Sequence, residues 1–336
     1  MWPALHRTTA MSRSQDACRV ADQAFVQQTK QYWTKMFDTS ADALQLRRNL
    51  RGRCPPPRRE PLARVHTCGM PGAGGHGEIR LRIYQPWLPT AVGRPARIPL
   101  MVYLHGGGFV LRDEESCEAC CRRLANGVGA VVVSVDYRLA PQHRFPAALD
   151  DAWAATLWVA AHADVLGGDP TRLAVAGEGA GGNLAAAVCL RARDHQHPPI
   201  AFQLLIYPVL DQRIPAATAP ARSARDVVTI EQLGWFSDHY LGPESTRLQP
   251  SVSPLLADPA GLPAAHIVTA QNDPLRDQGE QFAHLLRSAG VPATARRYPG
   301  MFHGFFNLPD HMPSAAQAHT DVHAIVRDAL HDPQMP

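Results

Sequence analysis

LAVAGEGAGGNLAAAVCL, residues 173–190, joins an apolar run to an alanine-rich stretch through a glycine-rich turn. The run at 173–179 is short and ends in glycine, which is typical of a buried β-strand. The stretch that follows has the composition of a helix, which we predict over 182–193. A buried strand that turns directly into a helix is one unit of an α/β fold.

The same alternation continues on both sides of this unit. AVVVSVDYRL (130–139) opens with a continuous β-branched run, which predicts a strand buried on both faces of its sheet. Similar runs predict strands at 78–86, 98–108, 202–210, 265–273 and 293–300. Helical patterns lie between the strands, at 114–127, 148–163, 276–289 and 314–330. The predicted fold class is therefore α/β, with a mostly parallel sheet flanked by helices.

Two parts of the chain interrupt this rhythm. Residues 15–50 are predicted to be helical and lead into a linker rich in proline and arginine. The second interruption, at 212–245, contains SARDVVTIEQLGWFSDHYLG. We interpret 1–60 and 212–245 as a helical cap. The ranges 61–211 and 246–336 then form the α/β core.

Composition excludes several classes of protein. Hydrophobic residues make up 45% and charged residues 19% of the 336 residues, the balance of a globular chain. A net charge of +3 is too small to indicate nucleic acid or a membrane surface as a partner. No signal peptide or membrane-spanning run is visible, and Met11 is an alternative start to Met1. We expect a cytoplasmic protein, and the alanine-, proline- and glycine-rich composition indicates a GC-rich bacterial source.

The seven cysteines show no disulfide framework. Cys117, Cys120 and Cys121 lie close together, but no histidine or cysteine accompanies them at zinc-site spacing. We predict free thiols in a reducing compartment and no metal site.

Three segments that follow predicted strands carry chemically useful groups. His105-Gly106-Gly107-Gly108 follows a buried strand, and its glycines allow several backbone N–H groups to face one small space. Such a nest suits a developing oxyanion, although a flexible turn explains the glycines equally well. Asp273 and His303 each follow a later strand, and ligand and catalytic groups gather at the carboxyl ends of strands in such sheets. Together these segments supply an acid, a base and an oxyanion nest.

The nucleophile is the part that the pattern lacks. The turn at 177–181 matches the nucleophile elbow G-x-S-x-G at Gly177 and Gly181, but Gly179 stands where the pattern has serine. The order of the elbow, then Asp273, then His303 is nevertheless the order found in α/β-hydrolases.

At this point the chain resembles the hormone-sensitive-lipase-like family of bacterial esterases. The resemblance implies an α/β-hydrolase fold with an eight-stranded sheet, a helical cap and no cofactor. The family's elbow usually has serine in the centre, so one residue departs from it. The matching segments are HGGGF (105–109), DYRLAPQHRFPAAL (136–149), GEGAGGNLA (177–185), SPL (253–255), DPLRDQG (273–279) and GMFHGF (300–305).

The resemblance implies a role for each part of the site. Asp273 and His303 are the implied acid and base of a catalytic triad, with Gly179 at the position of the nucleophile. The implied oxyanion donors are the N–H groups of Gly106, Gly107 and Ala180. The implied substrates are small carboxylic esters with short to medium acyl chains.

Aromatic residues near this site predict an apolar pocket for the ester. Phe109 lies beside the glycine nest, and Trp235 and Phe236 lie in the second cap segment. The same cap aromatics, at helical spacing, also fit the core of the cap. Exposed edge strands of the sheet allow a homodimer.

Three explanations of Gly179 stand. We favour a deliberate serine-to-glycine replacement in an esterase, because the nest, the acid and the base are all intact. A natural, non-hydrolytic ligand-binding pseudoenzyme of the same fold is the alternative. In the third explanation, His303 activates water directly.

A remote alternative is a dinucleotide-binding oxidoreductase, since 177–182 also fits G-x-G-x-x-G. That fold requires an acidic residue about 20 positions further on, at the end of the next strand. Residues 195–210 contain no Asp or Glu, and the second match, at 72–77, leads into a strand rather than a helix.

Overall fold

The protein is built around one mixed sheet of eight strands, as a computed structural model shows. The structure describes residues 27, 29–31, 37, 42–50, 59–87, 97–111, 114–214, 226–241 and 244–331. Most of the predicted helical stretch 15–50, most of the linker that follows it and both candidate start codons lie outside the described residues.

The strand order is β1-β2-β4-β3-β5-β6-β7-β8. The first two strands are antiparallel to their neighbours, and all later pairs are parallel. The predicted α/β fold with a mostly parallel sheet is confirmed. The strands are β1 Arg64–Pro71, β2 Glu78–Gln85, β3 Ile98–Leu104, β4 Val131–Val135, β5 Gly168–Glu178, β6 Ile200–Ile206, β7 Ala264–Asn272 and β8 Ala293–Phe302.

Eight α-helices lie among the described residues, and they pack around this sheet. The stretch 114–127, predicted to be helical, is helical throughout: its first turn is a 3₁₀ helix, an α-helix follows, and its last turn, Ala125–Gly129, is a π-helix. The helices are α1 Ala43–Leu50, α2 Glu118–Leu124, α3 Ala147–Ala161, α4 Ala163–Leu166, α5 Ala180–His195, α6 Ile230–Tyr240, α7 Arg276–Ser288 and α8 Pro313–His331.

Strand β1 was not predicted from the sequence. Its residues, RVHTCGMP, contain no run of β-branched or aromatic residues, and most of them are exposed or half-buried. It pairs on one side only, with β2, so the backbone hydrogen bonds of that pair define it rather than burial.

The core is divided between the two faces of the sheet, which explains the continuous apolar runs. In β3, Leu100, Val102 and Leu104 belong to one buried cluster, whereas Met101 and Tyr103 belong to the other. Successive side chains of a strand point to opposite faces, so a strand with helices on both sides needs apolar residues throughout.

Two of these helices, α1 and α6, lie beside the loops at the carboxyl end of β3. In α1, the guanidinium group of Arg47 donates hydrogen bonds to the carbonyl oxygens of Val110 and Ala140. Helix α6 begins with a capping box, in which the side chains of Thr229 and Gln232 each accept a hydrogen bond from the other residue's backbone N–H.

The assignment of 1–60 and 212–245 to a cap stays a prediction, because much of both ranges lies outside the described residues. In the part of the chain that the structure describes, no helix is both long and apolar enough to cross a membrane.

Candidate active site

Segments that follow five adjacent strands meet at one edge of the sheet. The glycine loop follows β3, the elbow follows β5, Tyr207 follows β6, and Asp273 and His303 directly follow β7 and β8. Because these strands are parallel neighbours, their carboxyl ends meet at the same edge. The topology therefore gathers residues that lie far apart in the sequence.

His303 and Asp273 form a hydrogen-bonded pair. The distance from His303 Nδ1 to Asp273 Oδ2 is 2.9 Å. The Asp273 side chain is fully buried, whereas that of His303 is 18% exposed. A carboxylate accepts at Nδ1, so Nδ1 carries the proton and Nε2 is left as an acceptor. Asp277, the other acid nearby, accepts instead from the Arg276 guanidinium at 2.8 Å, and its side chain is half exposed.

Gly179 has the backbone geometry of a sharp strand-to-helix turn. Its φ is 54° and its ψ is −112°, a region that residues with a side chain rarely occupy. A Cβ placed on Gly179 would lie 3.3 Å from Nε2 of His303. A side chain at this position would therefore project directly at the acceptor nitrogen of the His303–Asp273 pair.

Gly181 shows why the turn can be so sharp. A Cβ at Gly181 would lie only 1.9 Å from the carbonyl oxygen of Leu104, at the end of β3. Only glycine allows α5 to begin this close to the neighbouring strand. The elbow thus depends on the fit between α5 and β3 as well as on its own sequence.

The side chains of His105 and Tyr137 support the glycine loop. His105 and Tyr137 are stacked, with ring centroids 4.3 Å apart, and the Tyr137 hydroxyl donates to the His105 carbonyl at 2.7 Å. His105 Nδ1 lies 2.8 Å from the carbonyl oxygen of Gly106 and donates to it. Gly107 has a φ of 109°, and its carbonyl accepts from the N–H groups of Val110 and Leu111. His105 therefore supports the loop and is not exposed to the site.

A buried carboxylate that sequence reasoning missed links three of the site's loops. Glu178, the residue before Gly179, is 1% exposed. Its Oε1 accepts from the Gly106 N–H at 3.4 Å, and its Oε2 accepts from the Tyr207 hydroxyl at 2.8 Å and from the Asn307 amide. We call these four residues the Glu178 clamp. The only signal for it in the sequence is an acidic residue directly after the apolar run LAVAG, at the end of β5.

Tyr207 also contacts the His303 ring. The two ring centroids are 4.7 Å apart, and Tyr207 has a positive φ of 35°. A positive φ in an aromatic residue is a strained conformation, and strain of this kind concentrates at functional sites. Tyr207 therefore joins the Glu178 clamp to the His303–Asp273 pair.

The aromatic residues predicted to line a pocket occupy different environments. Phe236 lies over the glycine loop, since a Cβ at Gly108 would meet its ring at 2.1 Å. Trp235 is half-buried, and its ring packs edge-to-face against that of Phe37 with the ring centroids 5.5 Å apart. Phe109 is 2% exposed and stacks on Tyr240 with ring centroids 3.7 Å apart. Burial raises the pKa of the Tyr240 hydroxyl, so the hydroxyl stays neutral beside Phe109.

No group of three or more histidine, cysteine or acidic side chains that could hold a metal ion occurs within the described ranges. The cysteines at 68, 117, 120, 121 and 189 are free thiols.

Comparison with known proteins assigns this arrangement to a family. A family model described as alpha/beta hydrolase fold matches residues 101–307, from the middle of β3 to just past His303. The chain belongs to the α/β-hydrolases. Within them it is a member of the hormone-sensitive-lipase-like group of esterases, as the resemblance implied.

The relatives of this hydrolase include carboxylesterases and a solved esterase structure. Carboxylesterase NlhH of Mycobacterium tuberculosis is 41% identical over 299 residues, which cover 87% of this chain and 92% of the relative. Esterase LipI of the same organism is 42% identical over 262 residues, covering 77% and 80%. A hyperthermophilic esterase from the archaeon Pyrobaculum calidifontis superposes with a TM-score of 0.81 at 39% identity, covering 91% of this chain and 97% of its own.

Proposed function

We propose that this α/β-hydrolase is built for the hydrolysis of small carboxylic esters through an acyl-enzyme on a serine at position 179, and that glycine there leaves it inactive or nearly so. One observation carries the proposal. The Cβ position of residue 179 lies 3.3 Å from His303 Nε2, while His303 Nδ1 is bonded to the buried Asp273. A serine hydroxyl placed there completes a nucleophile, base and acid in the hydrolase order.

With serine at 179, each neighbouring group has a role. His303 Nε2 takes the hydroxyl proton as the oxygen attacks the ester carbonyl, and later gives it to the leaving alcohol. Asp273 holds the ring in the tautomer that leaves Nε2 free to accept, and stabilises the positive charge that forms on it. The N–H groups of Gly107 and Ala180 donate hydrogen bonds to the oxyanion. The Gly106 N–H, which also donates to Glu178, is the third donor.

The surroundings favour apolar esters with short to medium acyl chains, including aryl esters. Phe236 over the glycine loop and the half-buried Trp235 supply the apolar wall of the pocket. Phe109 shapes the loop from the core side, where it stacks on Tyr240. The free thiols of the described cysteines support a reducing, cytoplasmic location. The alanine-, proline- and glycine-rich composition supports a bacterial source. Assembly as a homodimer through an edge strand stays a prediction.

Gly179 leaves a second function open, that of a natural pseudoenzyme that binds a ligand without hydrolysing it. We favour the replaced serine, because the His303–Asp273 pair remains assembled and faces position 179. Binding alone does not require such a pair. The dinucleotide alternative is set aside, because the family match covers the whole turn at 177–182.

The test is the activity of Gly179→Ser toward p-nitrophenyl esters of short acids. We expect the parent chain to retain at most the roughly 10³–10⁴-fold acceleration over water that the oxyanion donors and binding supply. The serine variant should be faster by further orders of magnitude and should show a burst of nitrophenol from the acyl-enzyme. Gly234→Ser is the matched control, since Gly234 lies in α6 and, among the described residues, no atom outside its own stretch of helix lies within 4 Å of its Cβ position. A serine variant no faster than the parent with every short ester would overturn the proposal.

A further inference from the structure

A histidine lies on the face of α8 that belongs to the apolar core. His319 is 3% exposed, and its neighbours on that face, Ala315, Ala318, Val322 and Val326, are fully buried. Residues at this spacing share one face of a helix, and the face that meets the core is normally apolar throughout. A polar side chain in such a position is unusual unless it makes a specific hydrogen bond.

The two ring nitrogens of His319 have different surroundings. Nε2 lies 2.8 Å from the carbonyl oxygen of Phe306. A carbonyl oxygen only accepts, so Nε2 carries the proton of the ring and donates the hydrogen bond. Nδ1 is buried and meets no hydrogen-bond donor among the described residues. Burying a polar nitrogen without a partner costs free energy, so the bond to Phe306 is what this histidine provides.

The ring of His319 also stacks on the ring of Phe306. The two centroids are 3.9 Å apart and the planes are inclined by 19°. Phe306 is itself fully buried. One residue of α8 therefore holds Phe306 by its backbone and by its side chain, and α8 is anchored in the core by the apolar residues around His319.

Phe306 lies between two residues of the active site. It is the middle residue of the 3₁₀ turn Phe305–Asn307, which begins two residues after His303. The last residue of the turn, Asn307, donates its side-chain amide to Glu178. A displacement of Phe306 would therefore shift both the base of the site and a member of the Glu178 clamp.

We propose that His319 is a positioning residue of this hydrolase: it holds the turn Phe305–Asn307 and so fixes the placement of His303. Asn307, and with it the Glu178 clamp, is fixed by the same contacts. The inference rests on the proposed ester function and adds a residue that lies outside the site. His319 acts through the turn rather than by contact with the substrate.

Two amide substitutions separate the hydrogen bond from the rest of the side chain. The side-chain nitrogen of glutamine can take the place of Nε2, whereas that of the shorter asparagine reaches only the place of Nδ1. His319→Gln therefore keeps a donor for the Phe306 carbonyl, and His319→Asn does not. Both substitutions remove the stacked ring, so a difference between the two variants reports the hydrogen bond.

The first measurement is the kinetics of both variants in the Gly179→Ser background, with the active sites counted by a fluorophosphonate that reacts with the serine. We expect kcat per active site for a p-nitrophenyl ester to fall roughly threefold to tenfold in His319→Asn, the size expected for the loss of one neutral hydrogen bond. KM should change much less, and His319→Gln should retain most of kcat. A purely structural role would lower the number of active sites and leave kcat per site unchanged.

The matched control is a histidine of the same helix that makes the same kind of bond to another loop. His331, at the end of α8, donates from Nε2 to the Val128 carbonyl at 3.0 Å. His331→Asn removes that bond without touching the turn Phe305–Asn307. We expect it to leave kcat per active site unchanged.

Hydrogen exchange supplies a test that does not depend on ester hydrolysis, and it uses the parent chain. The N–H groups of Asn307 and Leu308 donate to carbonyl oxygens three residues earlier, at 3.2 and 2.9 Å. If His319 holds this turn, both amides should exchange faster in His319→Asn than in the parent chain, and His331→Asn should leave their exchange unchanged.

The outcomes separate the inference from the proposed function. If Gly179→Ser hydrolyses the ester but His319→Asn leaves kcat per active site unchanged, or His319→Gln falls as far as His319→Asn, the inference is wrong and the ester function stands. If Gly179→Ser acts on no ester, the proposed function is wrong, and the exchange rates decide whether His319 holds the turn. Equal exchange in His319→Asn and the parent chain would overturn the inference in either case.

Discussion

The Tyr207 hydroxyl donates a 2.8 Å hydrogen bond to Glu178 Oε2, and the ring of the same tyrosine lies 4.7 Å from the ring of His303. Glu178 thus connects the glycine loop, through Gly106, to the segment that carries His303 and Asn307. We expect Glu178→Gln, made in the Gly179→Ser background, to lower kcat roughly tenfold to a hundredfold. Hydrogen bonds to a charged group contribute about 1.5–3 kcal/mol each, and the amide keeps the shape but not the charge.

The kinetic constants distinguish positioning from a loss of folding. We expect KM for a p-nitrophenyl ester to change much less than kcat, because the Glu178 clamp holds the reacting groups rather than the substrate. Asp194→Asn is the matched control, since the Asp194 side chain is 62% exposed at the far end of α5. A Glu178→Gln variant with unchanged kcat would show that the clamp does not position the site.

Non-additivity tests the assignment of the triad. In the Gly179→Ser background, His303→Ala and Asp273→Asn should each lower kcat by several orders of magnitude. The double variant should lower it little further, because residues that act as one unit are strongly non-additive. Asp277→Asn is the control, since Asp277 pairs with Arg276 at the surface. If Asp277→Asn lowered kcat more than Asp273→Asn does, the acid of the triad would be Asp277 and not Asp273.

A serine at position 179 should reduce stability. Gly179 has a φ of 54°, and a residue with a side chain in such a region costs on the order of 1–3 kcal/mol. The serine Cβ, 3.3 Å from Nε2, also requires His303 to move slightly. Glycine loses more chain entropy on folding, which offsets the strain by up to about 1 kcal/mol.

Chemical denaturation of the two proteins measures the difference, and we expect Gly179→Ser to unfold at lower denaturant concentration. Gly234→Ser should instead be neutral or slightly stabilising, because Gly234 lies inside α6 with no described residue from elsewhere in the chain close to its Cβ position, and serine is a better helix former than glycine. Equal or greater stability of Gly179→Ser would show that the elbow is not strained.

Buried histidines should make the protein sensitive to mild acid. Burial lowers the pKa of His319 to about 3, and those of His323 and His266 to about 4. The unfolded chain binds protons at these side chains near pH 6.5, whereas the folded chain does not. The free energy of unfolding is therefore highest above pH 6.5 and falls as the pH drops from there toward 4, by up to about 1.4 kcal/mol per pH unit for each histidine.

His319→Gln should reduce the slope of the free energy of unfolding against pH by about the contribution of one buried histidine. The glutamine amide can still donate to the Phe306 carbonyl, which His319 Nε2 meets at 2.8 Å. The substitution His284→Gln, at an exposed site in α7, should leave the slope as in the parent chain. Denaturation series at several pH values give the slopes, and a parent chain equally stable at pH 5 and pH 7.5 would contradict the expectation.

The sequence predicts the elements that burial defines and misses those defined by pairing. AVVVSVDYRL contains β4 because a strand covered on both faces must be apolar throughout, and the structure has it at Val131–Val135. Strand β1 is half-exposed and is held by its pairing with β2, which no local pattern records.

The same division applies to the site. Asp273 and His303 could be located because both follow strands whose order in the chain is informative. Glu178, Tyr207 and Asn307 could not, because their hydrogen bonds join three loops that meet only in the folded protein. The positive φ of Tyr207 likewise depends on tertiary contacts and leaves no mark in the sequence.

The self-supporting turn at Gly179 has a genetic consequence. Half of the glycine codons, GGT and GGC, become serine codons by one base substitution, to AGT and AGC. Because hydrogen bonds to Ile206, Val209 and Asn183 preserve the turn, no second mutation is needed to rebuild it. A gene with either codon at this position would gain serine in one step, and if the proposed ester function holds, cells grown with an ester as their only carbon source would select that mutant.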